Sequence, residues 1–436
     1  MNDSNQGFDT LRIHAGYNPD DHQRSATVPI YQNAAFTLGT AERGRLAALG
    51  KVHAYTYSRL MNPTVRAFEE RVARLDGGVD AVAVASGMAA VTYAVLSLVE
   101  GAGRIVLPHD IYGASLDEFL TLFPKYGVDF DLVDDINDAD ELRAAIRPDT
   151  KAVFVESITN PGTHVTDVDR VSAVAHDAGV PLIVDNTFPT PYLFRPIEHG
   201  ADIVLYSSTK GLNGHGNAIG GVIVDAGRFP WDSPRFPQFT EAEFTLYDED
   251  ERRSRSFHEV YGDAAYAKRL RAKYLRLFGA VLGPQEAYLS LLGLETISER
   301  LDKEVRNATE IARYLKTNPH VTQLFYSGLE GDAQEALVAR DFPKGIGAIL
   351  AFNVEGGEPR VERIIDNTRV FSYLPNVGDV RSLIVNPIRI THREIPFDLR
   401  EKDNIGGSTI RLSIGLEDVR DLIEDLDQAI AKAYLD

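Results

Sequence analysis

The sequence contains 436 residues, of which 45 are basic and 64 are acidic, so its formal net charge is −19. A chain of this charge repels nucleic-acid phosphates, and it has no concentrated basic segment, so nucleic acid is not an expected partner. Cysteine does not occur, which excludes disulfides, iron–sulfur clusters and a cysteine nucleophile. The expected partners are small molecules and further copies of this chain.

The start of the sequence, residues 1–21, has no apolar segment after a basic one and therefore no secretory signal, so we expect a cytoplasmic protein. Residues 81–99 carry no charge, and their length alone would allow a membrane span. Ser86 and Gly87 divide this stretch into a short strand at 81–85 and an apolar helix at 88–99. That division is typical of buried α/β structure, so no membrane association is expected.

Short apolar runs alternate with helical patterns between residues 80 and 225. The predicted strands are residues 81–84, 105–107, 130–133, 152–155, 182–184, 203–205 and 222–224. The connection at 167–178 is helical, because Val168, Val171 and Val174 recur on one face. Strands joined by helices predict a doubly wound α/β domain with a mainly parallel, seven-stranded sheet.

The rest of the chain is predicted to contain a smaller α+β domain. Apolar residues recur at helical spacing over 297–315 and 419–430, and strand-like runs lie between them at 348–354, 383–385 and 410–414. The charged stretch 247–256 is predicted to be a surface loop, with a functional flap as the alternative. We place domain boundaries at residues 63 and 298: an N-terminal arm (1–63) that packs on a neighbour, a large domain (64–298) and a C-terminal domain (299–436).

Two charged residues follow neighbouring apolar strands, where open α/β sheets bind their ligands. Asp185 ends the strand at 182–184, and Lys210 follows the strand at 203–205. Pyridoxal phosphate needs both groups, because its aldehyde forms a Schiff base with a lysine and its ring nitrogen is held protonated by an aspartate. Taken singly, a surface lysine and a turn aspartate would be the simpler interpretations.

The residues around Lys210 are suited to a phosphate. Ser207, Ser208 and Thr209 precede Lys210, and the glycine-rich segment 211–221 follows it. Ser86-Gly87-Met88 opens the apolar helix, whose free amides and dipole attract an anion, although Gly87 could also serve only as a strand-to-helix turn. No P-loop, GxGxxG fingerprint or HExxH spacing occurs, so neither a nucleotide nor a metal ion is expected.

Motifs along nearly the whole sequence resemble the trans-sulfuration, or Cys/Met metabolism, family of pyridoxal-phosphate enzymes. They are, in the order of that family, YSRLMNPT (57–64), VASGMAA (84–90), IYG (111–113), VDNT (184–187), SSTK with GHG (207–216), GLET (293–296) and RLSIGLED (411–418). Within the family, VPIYQ (28–32), RLMNPT and NVGD (376–379) with the following Ser382-Leu383 are most similar to O-acetylhomoserine sulfhydrylases.

The resemblance implies a type I pyridoxal-phosphate transferase fold and a role for each matching residue. Lys210, Tyr112 and Asp185 would be catalytic, with Tyr112 stacked on the ring. The cofactor-binding set would be Tyr57, Arg59, Ser86, Gly87, Met88, Tyr112, Asn160, Asp185, Thr187, Ser207, Thr209 and Lys210. Arg411, Asn160 and Tyr57 would bind the substrate, with Arg411 clamping its α-carboxylate. Tyr57 and Arg59 would reach a neighbouring subunit's phosphate, which implies active homodimers assembled into a tetramer.

The activity implied is γ-replacement: O-acetyl-L-homoserine exchanges acetate for sulfide or methanethiol and gives homocysteine or methionine. Cystathionine γ-synthase and a γ-lyase remain open on the same scaffold, and a non-catalytic binding protein of this fold is a remote alternative. Ala114 stands where methionine lyases have cysteine, which disfavours the lyase.

Overall fold

The computed structural model describes residues 6–402 and 404–435. The first five residues of the predicted arm, and Asp403 and Asp436 of the predicted C-terminal domain, lie outside the described residues. The described chain forms a seven-stranded sheet, a five-stranded sheet and a two-stranded hairpin.

The large sheet consists of β1 (Asp80–Val84), β2 (Gly103–Pro108), β3 (Val128–Val133), β4 (Thr150–Glu156), β5 (Leu182–Asp185), β6 (Ile203–Tyr206) and β7 (Gly221–Asp225). The hairpin is β8 (Tyr247–Asp248) and β9 (Arg253–Ser254), and the C-terminal sheet is β10 (Val321–Phe325), β11 (Ile349–Val354), β12 (Ser372–Tyr373), β13 (Leu383–Val385) and β14 (Thr409–Ser413).

The α-helices are α1 (Phe8–His14), α2 (Ala41–Ala48), α3 (Pro63–Asp76), α4 (Gly87–Val99), α5 (Gly113–Asp117), α6 (Ala139–Ala145), α7 (Val168–Asp177), α8 (Thr190–Leu193), α9 (Phe257–Tyr261), α10 (Ala265–Arg269), α11 (Arg276–Phe278), α12 (Pro284–Leu294), α13 (Ile297–Thr317), α14 (Glu335–Asp341), α15 (Glu358–Asn367), α16 (Pro387–Ile390), α17 (Phe397–Lys402) and α18 (Val419–Ala433). Two π-helical segments, Glu118–Leu122 and Leu270–Leu275, extend α5 and join α10 to α11.

The large sheet has the strand order β1-β7-β6-β5-β4-β2-β3. All of its strand pairs are parallel except those of β7, which runs antiparallel to β1 and β6. The predicted mainly parallel sheet of seven strands is therefore confirmed. Its central strands are continuously apolar because both faces are covered by helices: Val184 packs into one core and the adjacent Ile183 into the other.

The strand β1 and the helix α4 divide the uncharged stretch 81–99 as the sequence predicts. Ser86 caps α4, since its hydroxyl accepts the amide of Ala89 at 3.1 Å. Among the described residues, no helix is both long enough and apolar enough to cross a bilayer.

The C-terminal sheet has the order β10-β11-β14-β13-β12, and α13 and α18 pack together beside it. Of these strands, β10 and β12 were not predicted, because β10 is only half-buried and β12 is two residues long. The stretch 247–256, predicted as a loop, contains the hairpin β8–β9 at the surface.

The predicted arm is divided between two environments. Leu11, Ala15 and Val28 are buried in the chain's own core, and Arg12 forms an ion pair with Glu299 at 2.6 Å. Residues 29–62 are mostly exposed or half-exposed. The domain boundaries at 63 and 298, and the contact of the arm with a neighbour, stay predictions.

Candidate active site

A cavity of about 220 Å³ lies at the carboxyl ends of β4, β5 and β6, where the large sheet faces the C-terminal sheet. Strand β5 places Asp185 in its wall, and the turn after β6 places Lys210 there. The residues of the wall are Ser86, Gly87, Met88, Val91, Tyr112, Ser115, Glu156, Ile158, Asn160, Asp185, Thr187, Phe188, Ser207, Thr209, Lys210, Pro375, Asn376, Val377, Thr391 and Arg411.

One end of the cavity presents neutral donors. Gly87 and Met88 open α4, so their amides have no acceptor within the helix and stand at its positive end. A Cβ atom on Gly87 would lie 2.7 Å from the Cβ atom of Ser207, so only glycine allows this close approach. Thr209 turns its hydroxyl to the carbonyl and amide of Gly220. This end is a small cradle of hydroxyls and amides.

Lys210 extends from a turn in which its amide donates to the carbonyl of Ser207 at 3.1 Å. Its Nζ donates to Oδ1 of Asn376 at 2.6 Å. Burial, and secondly the charge of Arg411, lowers the pKa of Lys210 to about 8. The amine is therefore neutral in about a tenth of the molecules at pH 7 and in about half of them at pH 8, far more than an exposed lysine would be, and a nucleophile or base requires this neutral form.

Asp185 lies in the same cavity wall, where the hydroxyl of Thr187 stands between its carboxyl group and the amide of Ser207. Its Oδ1 accepts the hydroxyl of Thr187 at 2.5 Å and the amide of Thr187 at 3.0 Å. Burial raises the pKa of Asp185. Burial, and secondly the nearby charge of Asp185, raises the pKa of Glu156 well above its usual range. No lysine, arginine or histidine of the described residues forms an ion pair with either carboxyl group. A cation bound beside Asp185 would relieve this repulsion.

Tyr112 precedes α5, and its ring forms part of the cavity wall. Its backbone amide donates to Oε1 of Glu156 at 2.7 Å. Burial raises the pKa of the Tyr112 phenol, while the charge of Arg411 opposes that rise. The phenol is therefore protonated near neutral pH.

Arg411 reaches the cavity from β14 of the C-terminal sheet. Its two terminal nitrogens donate to Oδ1 of Asn160 and to the carbonyl of Asn376, each at 3.3 Å. Its Nε is buried and has no partner among the described residues. Burial lowers the pKa of Arg411 to about 10, so the guanidinium still carries its charge at pH 7. A charged, incompletely paired guanidinium in a cavity is suited to a carboxylate.

Two predicted site residues lie elsewhere. Tyr57 and Arg59 are exposed outside the cavity, with the guanidinium of Arg59 5.4 Å from the centre of the Tyr57 ring. Arg59 also donates to the carbonyl of Arg276. Every other predicted site residue lines the one cavity: Ser86, Gly87, Met88, Tyr112, Asn160, Asp185, Thr187, Ser207, Thr209, Lys210 and Arg411. The individual roles remain predictions.

Within the described residues, one further group of potential metal ligands lies away from the cavity and consists of Asp169, His199 and Asp341. Arg340 contacts the carboxylates of Asp169 and Asp341 at 3.3 and 2.6 Å, and Nδ1 of His199 lies 3.1 Å from Asp169. These contacts already engage all three side chains.

Comparison with known proteins shows the family. Residues 9–431 match the family model described as Cys/Met metabolism PLP-dependent enzyme. This chain belongs to that family. The homocysteine synthase of Schizosaccharomyces pombe is 39% identical over 430 residues, with 98% of each chain covered. The O-acetyl-L-homoserine sulfhydrylase of Corynebacterium glutamicum is 37% identical, with 98% of this chain and 97% of the relative covered.

A solved structure is also similar to this chain over nearly its whole length. It is a protein of Campylobacter jejuni assigned as an O-acetylhomoserine (thiol)-lyase, and it contains a pyridoxyl-lysine phosphate. The two structures superpose with a TM-score of 0.93 at 32% identity, covering 98% of this chain and 100% of the other. The predicted family, its fold and its use of pyridoxal phosphate are thereby confirmed.

The cavity of this family member fits pyridoxal phosphate on three observations. Gly87 leaves the hydroxyl cradle open, where a Cβ atom would fill it. The carboxyl group of Asp185 has no protein cation beside it among the described residues, which suits a protonated ring nitrogen. Lys210 has a lowered pKa and lies in the same cavity.

Sequence reasoning missed two residues that contact the predicted set. Glu156 ends β4 as Asp185 ends β5, so the rule that identified Asp185 would also have identified Glu156. Asn376 contacts Lys210 across 166 positions of the chain, in a loop with no local signal for that contact. Its approach depends on Gly378, which has φ +67° and lies against the backbone of Gly211.

Proposed function

We propose that this enzyme carries out γ-replacement on O-acetyl-L-homoserine, with sulfide or methanethiol as the nucleophile. The products are L-homocysteine or methionine, together with acetate. The observation that carries the proposal is that one cavity holds the amine of Lys210, the carboxyl group of Asp185 and the guanidinium of Arg411. The sulfhydrylase names of full-length relatives support the choice of substrate.

The cofactor would be held at both ends by side chains of this chain. Gly87, Met88, Ser207 and Thr209 would bind its phosphate, and Asp185 would pair with its ring nitrogen. When bound at Lys210, pyridoxal phosphate would supply an electron sink for the negative charge that develops on the substrate.

Lys210 would move the protons. Once its amine is free, Lys210 takes a proton from Cα of the substrate and returns it to Cβ or Cα later in the turnover. After it has released the first proton, Lys210 would also take the Cβ proton, so that acetate leaves from Cγ. The thiol would then bond to Cγ and give its proton to solvent, and the two substrate protons would be returned to Cβ and Cα. With a pKa of about 8, the amine both accepts and releases protons near neutral pH. Asn376, 2.6 Å from Nζ, orients the amine between these positions.

Arg411 would fix the substrate for these transfers. Its guanidinium pairs with the α-carboxylate, and Asn160 and the carbonyl of Asn376 hold the guanidinium in place. Tyr112 would lie over the ring and assist proton movement, since its phenol carries a proton near neutral pH. Replacing Arg411 with lysine is expected to raise KM more than it lowers kcat, because the planar two-point contact is lost.

A product assay on the purified holoenzyme tests the substrate assignment. The enzyme is incubated with O-acetyl-L-homoserine plus sulfide, methanethiol, cysteine or no thiol, and the products are identified by mass spectrometry. Homocysteine or methionine as the dominant product supports the proposal. Dominant cystathionine would indicate a γ-synthase, and dominant 2-oxobutyrate without thiol would indicate a γ-lyase. No turnover in any arm would favour a non-catalytic binding protein.

We further propose that the active unit is a homodimer, assembled into a tetramer in the cytoplasm. Support comes from Tyr57 and Arg59, which are exposed and outside the cavity of their own chain, although they match the family's phosphate-binding motif. Co-expression of two inactive variants, Arg59→Ala and Lys210→Ala, tests the shared site. Random mixing should restore about a quarter of the native activity, because half of the dimers would hold one intact site. No recovery would contradict a site built from two subunits.

A further inference from the structure

Glu156 and Asp185 end two neighbouring parallel strands at the same register position. They are partners in the pairing of β4 with β5, so their side chains leave the sheet side by side. Both line the cofactor cavity. The proposed function uses Asp185 but gives no role to Glu156, although Glu156 is buried in the cavity wall.

Glu156 connects the strands to the segments that carry Tyr112 and Asn160. Its Oε1 accepts the amide of Tyr112 at 2.7 Å, and the backbone of Asn160 also donates toward its carboxyl group. Its own carbonyl accepts the hydroxyl of Thr166 at 2.7 Å, which fixes the end of β4. The carboxyl group of Glu156 therefore sets the position of Tyr112 relative to β5.

The surroundings of Glu156 disfavour a second negative charge. The titratable groups that face it are Asp185 from β5, Asp110 from the segment after β2 and the phenol of Tyr112 before α5. Burial and the charge of Asp185 raise the pKa of Glu156. Asp185 accepts the hydroxyl of Thr187 at 2.5 Å and its amide at 3.0 Å, and both favour the ionised form of Asp185. The amides of Tyr112 and Asn160 do the same for Glu156, but burial and the charge of Asp185 outweigh them and raise the pKa of Glu156 well above its usual range. One charge shared by two carboxyl groups therefore resides on Asp185.

We propose that Glu156 is a positioning residue that stays protonated in the holoenzyme, holding Tyr112 in place while leaving the negative charge to Asp185. The inference rests on the proposed pairing of Asp185 with the ring nitrogen and is independent of which thiol reacts. Two neighbouring carboxylates would over-neutralise a single cation and repel each other. A neutral acid accepts the amide of Tyr112 without that repulsion.

Replacement of Glu156 with glutamine gives the sharpest test, because glutamine is a neutral group of the same shape. Glu156→Gln keeps an oxygen for the amide of Tyr112 and cannot ionise. We expect a visible cofactor spectrum like that of the native enzyme, kcat within about threefold, and an unchanged dependence of kcat on pH. An ionisation that disappears from the pH profile, or a loss of more than about tenfold, would overturn the proposal.

Comparison of Glu156→Ala with Glu156→Gln distinguishes the effect of the carboxyl charge from that of the hydrogen bond with the Tyr112 amide. Glu156→Ala removes the acceptor for Tyr112, so kcat/KM should fall by about tenfold or more, although Lys210 and Asp185 still bind the cofactor. Equal activity of the alanine and glutamine variants would show that the contact positions nothing. Glu118→Gln is the matched control: Glu118 is also buried, its pKa is raised to about 7 by burial, and it lies outside the cavity wall.

The proton on Glu156 can be observed without turnover. The infrared difference between holoenzyme and its Glu156→Gln variant should contain the carbonyl stretch of a protonated carboxyl group. A carboxylate stretch in its place would contradict the proposal. The ring-nitrogen signal of ¹⁵N-labelled cofactor, measured in the same samples, reports whether Asp185 holds the nitrogen protonated. An unprotonated nitrogen would refute the proposed role of Asp185, whereas a carboxylate on Glu156 with a protonated nitrogen would refute this inference alone.

Discussion

Two groups of residues in the wall of the cofactor cavity differ in charge and in origin. The cradle of Gly87, Ser207 and Thr209 is formed by hydroxyls, a helix N-terminus and a close backbone approach, without an acidic side chain among these residues. The acidic group consists of the carboxyl groups of Asp185 and Glu156 at neighbouring strand ends. A ligand that is anionic at one end and cationic at the other satisfies both, which is the charge pattern of pyridoxal phosphate.

Lys210→Ala is expected to have the largest effect, because it removes the amine that lines the same cavity as the hydroxyl cradle and the two carboxyl groups. Activity should fall by at least about a thousandfold, and the visible absorption of bound cofactor should disappear. Lys151→Ala is the control: burial also lowers the pKa of Lys151, but this lysine donates to the carbonyl of Arg235 away from the cavity. A visible band that survives in Lys210→Ala would contradict the account.

Asp185→Asn tests the carboxyl group of Asp185 without changing the hydroxyl cradle. An amide cannot stabilise a protonated ring nitrogen by charge, so kcat/KM should fall by about a hundredfold while the phosphate end still binds. Asp110→Asn should change kcat/KM by less than about threefold, because Asp110 lies outside the wall of this cavity. Steady-state kinetics give kcat/KM for both variants, and the visible spectrum shows whether each still binds the cofactor. If Asp185→Asn and Asp110→Asn lowered kcat/KM equally, Asp185 would have no special role in the cavity.

Gly87→Ala tests the hydroxyl cradle. The added Cβ atom would lie 2.7 Å from the Cβ atom of Ser207, so the cradle must widen or distort. Affinity of the apoprotein for pyridoxal phosphate, measured by fluorescence titration, should fall about tenfold. Gly162→Ala is the control, since its Cβ atom would meet Oγ1 of Thr159 at an ordinary 3.9 Å. Unchanged affinity in Gly87→Ala would place the phosphate elsewhere.

The smallest expected effect is the dependence of cofactor uptake on pH. Burial and Arg411 lower the pKa of Lys210 to about 8, and only the neutral amine reacts with an aldehyde. The rate at which apoprotein takes up the cofactor should therefore rise with pH up to about 8 and then become constant. A rate that keeps rising toward pH 10 would mean that Lys210 has the pKa of an exposed lysine.

Much of the large sheet could be predicted because its strands are apolar on both faces and end in polar residues. The runs at 182–184 and 203–205 identified both their strands and the edge that carries Asp185 and Lys210. The sequence also predicted that Ser86-Gly87-Met88 opens the apolar helix, and in the structure the hydroxyl of Ser86 caps α4.

The contacts between the two sheets could not be predicted from local patterns. Arg411 entered the site prediction only through a family resemblance, because a buried arginine in a strand has no signal of its own. Asn376 meets Lys210 through the packing of a loop from the C-terminal sheet, and β12, next to that loop, is too short for an apolar period to develop. Such contacts depend on long-range packing, which hydrophobic periodicity does not encode.

The most direct test of the central claim is to locate the lysine that binds the cofactor. Holoenzyme is reduced with borohydride, digested and analysed by tandem mass spectrometry, which finds the peptide bearing a phosphopyridoxyl group. The account predicts a single modified site, Lys210. Stoichiometric modification of any other lysine, or none at all in enzyme that turns over O-acetyl-L-homoserine, would contradict it.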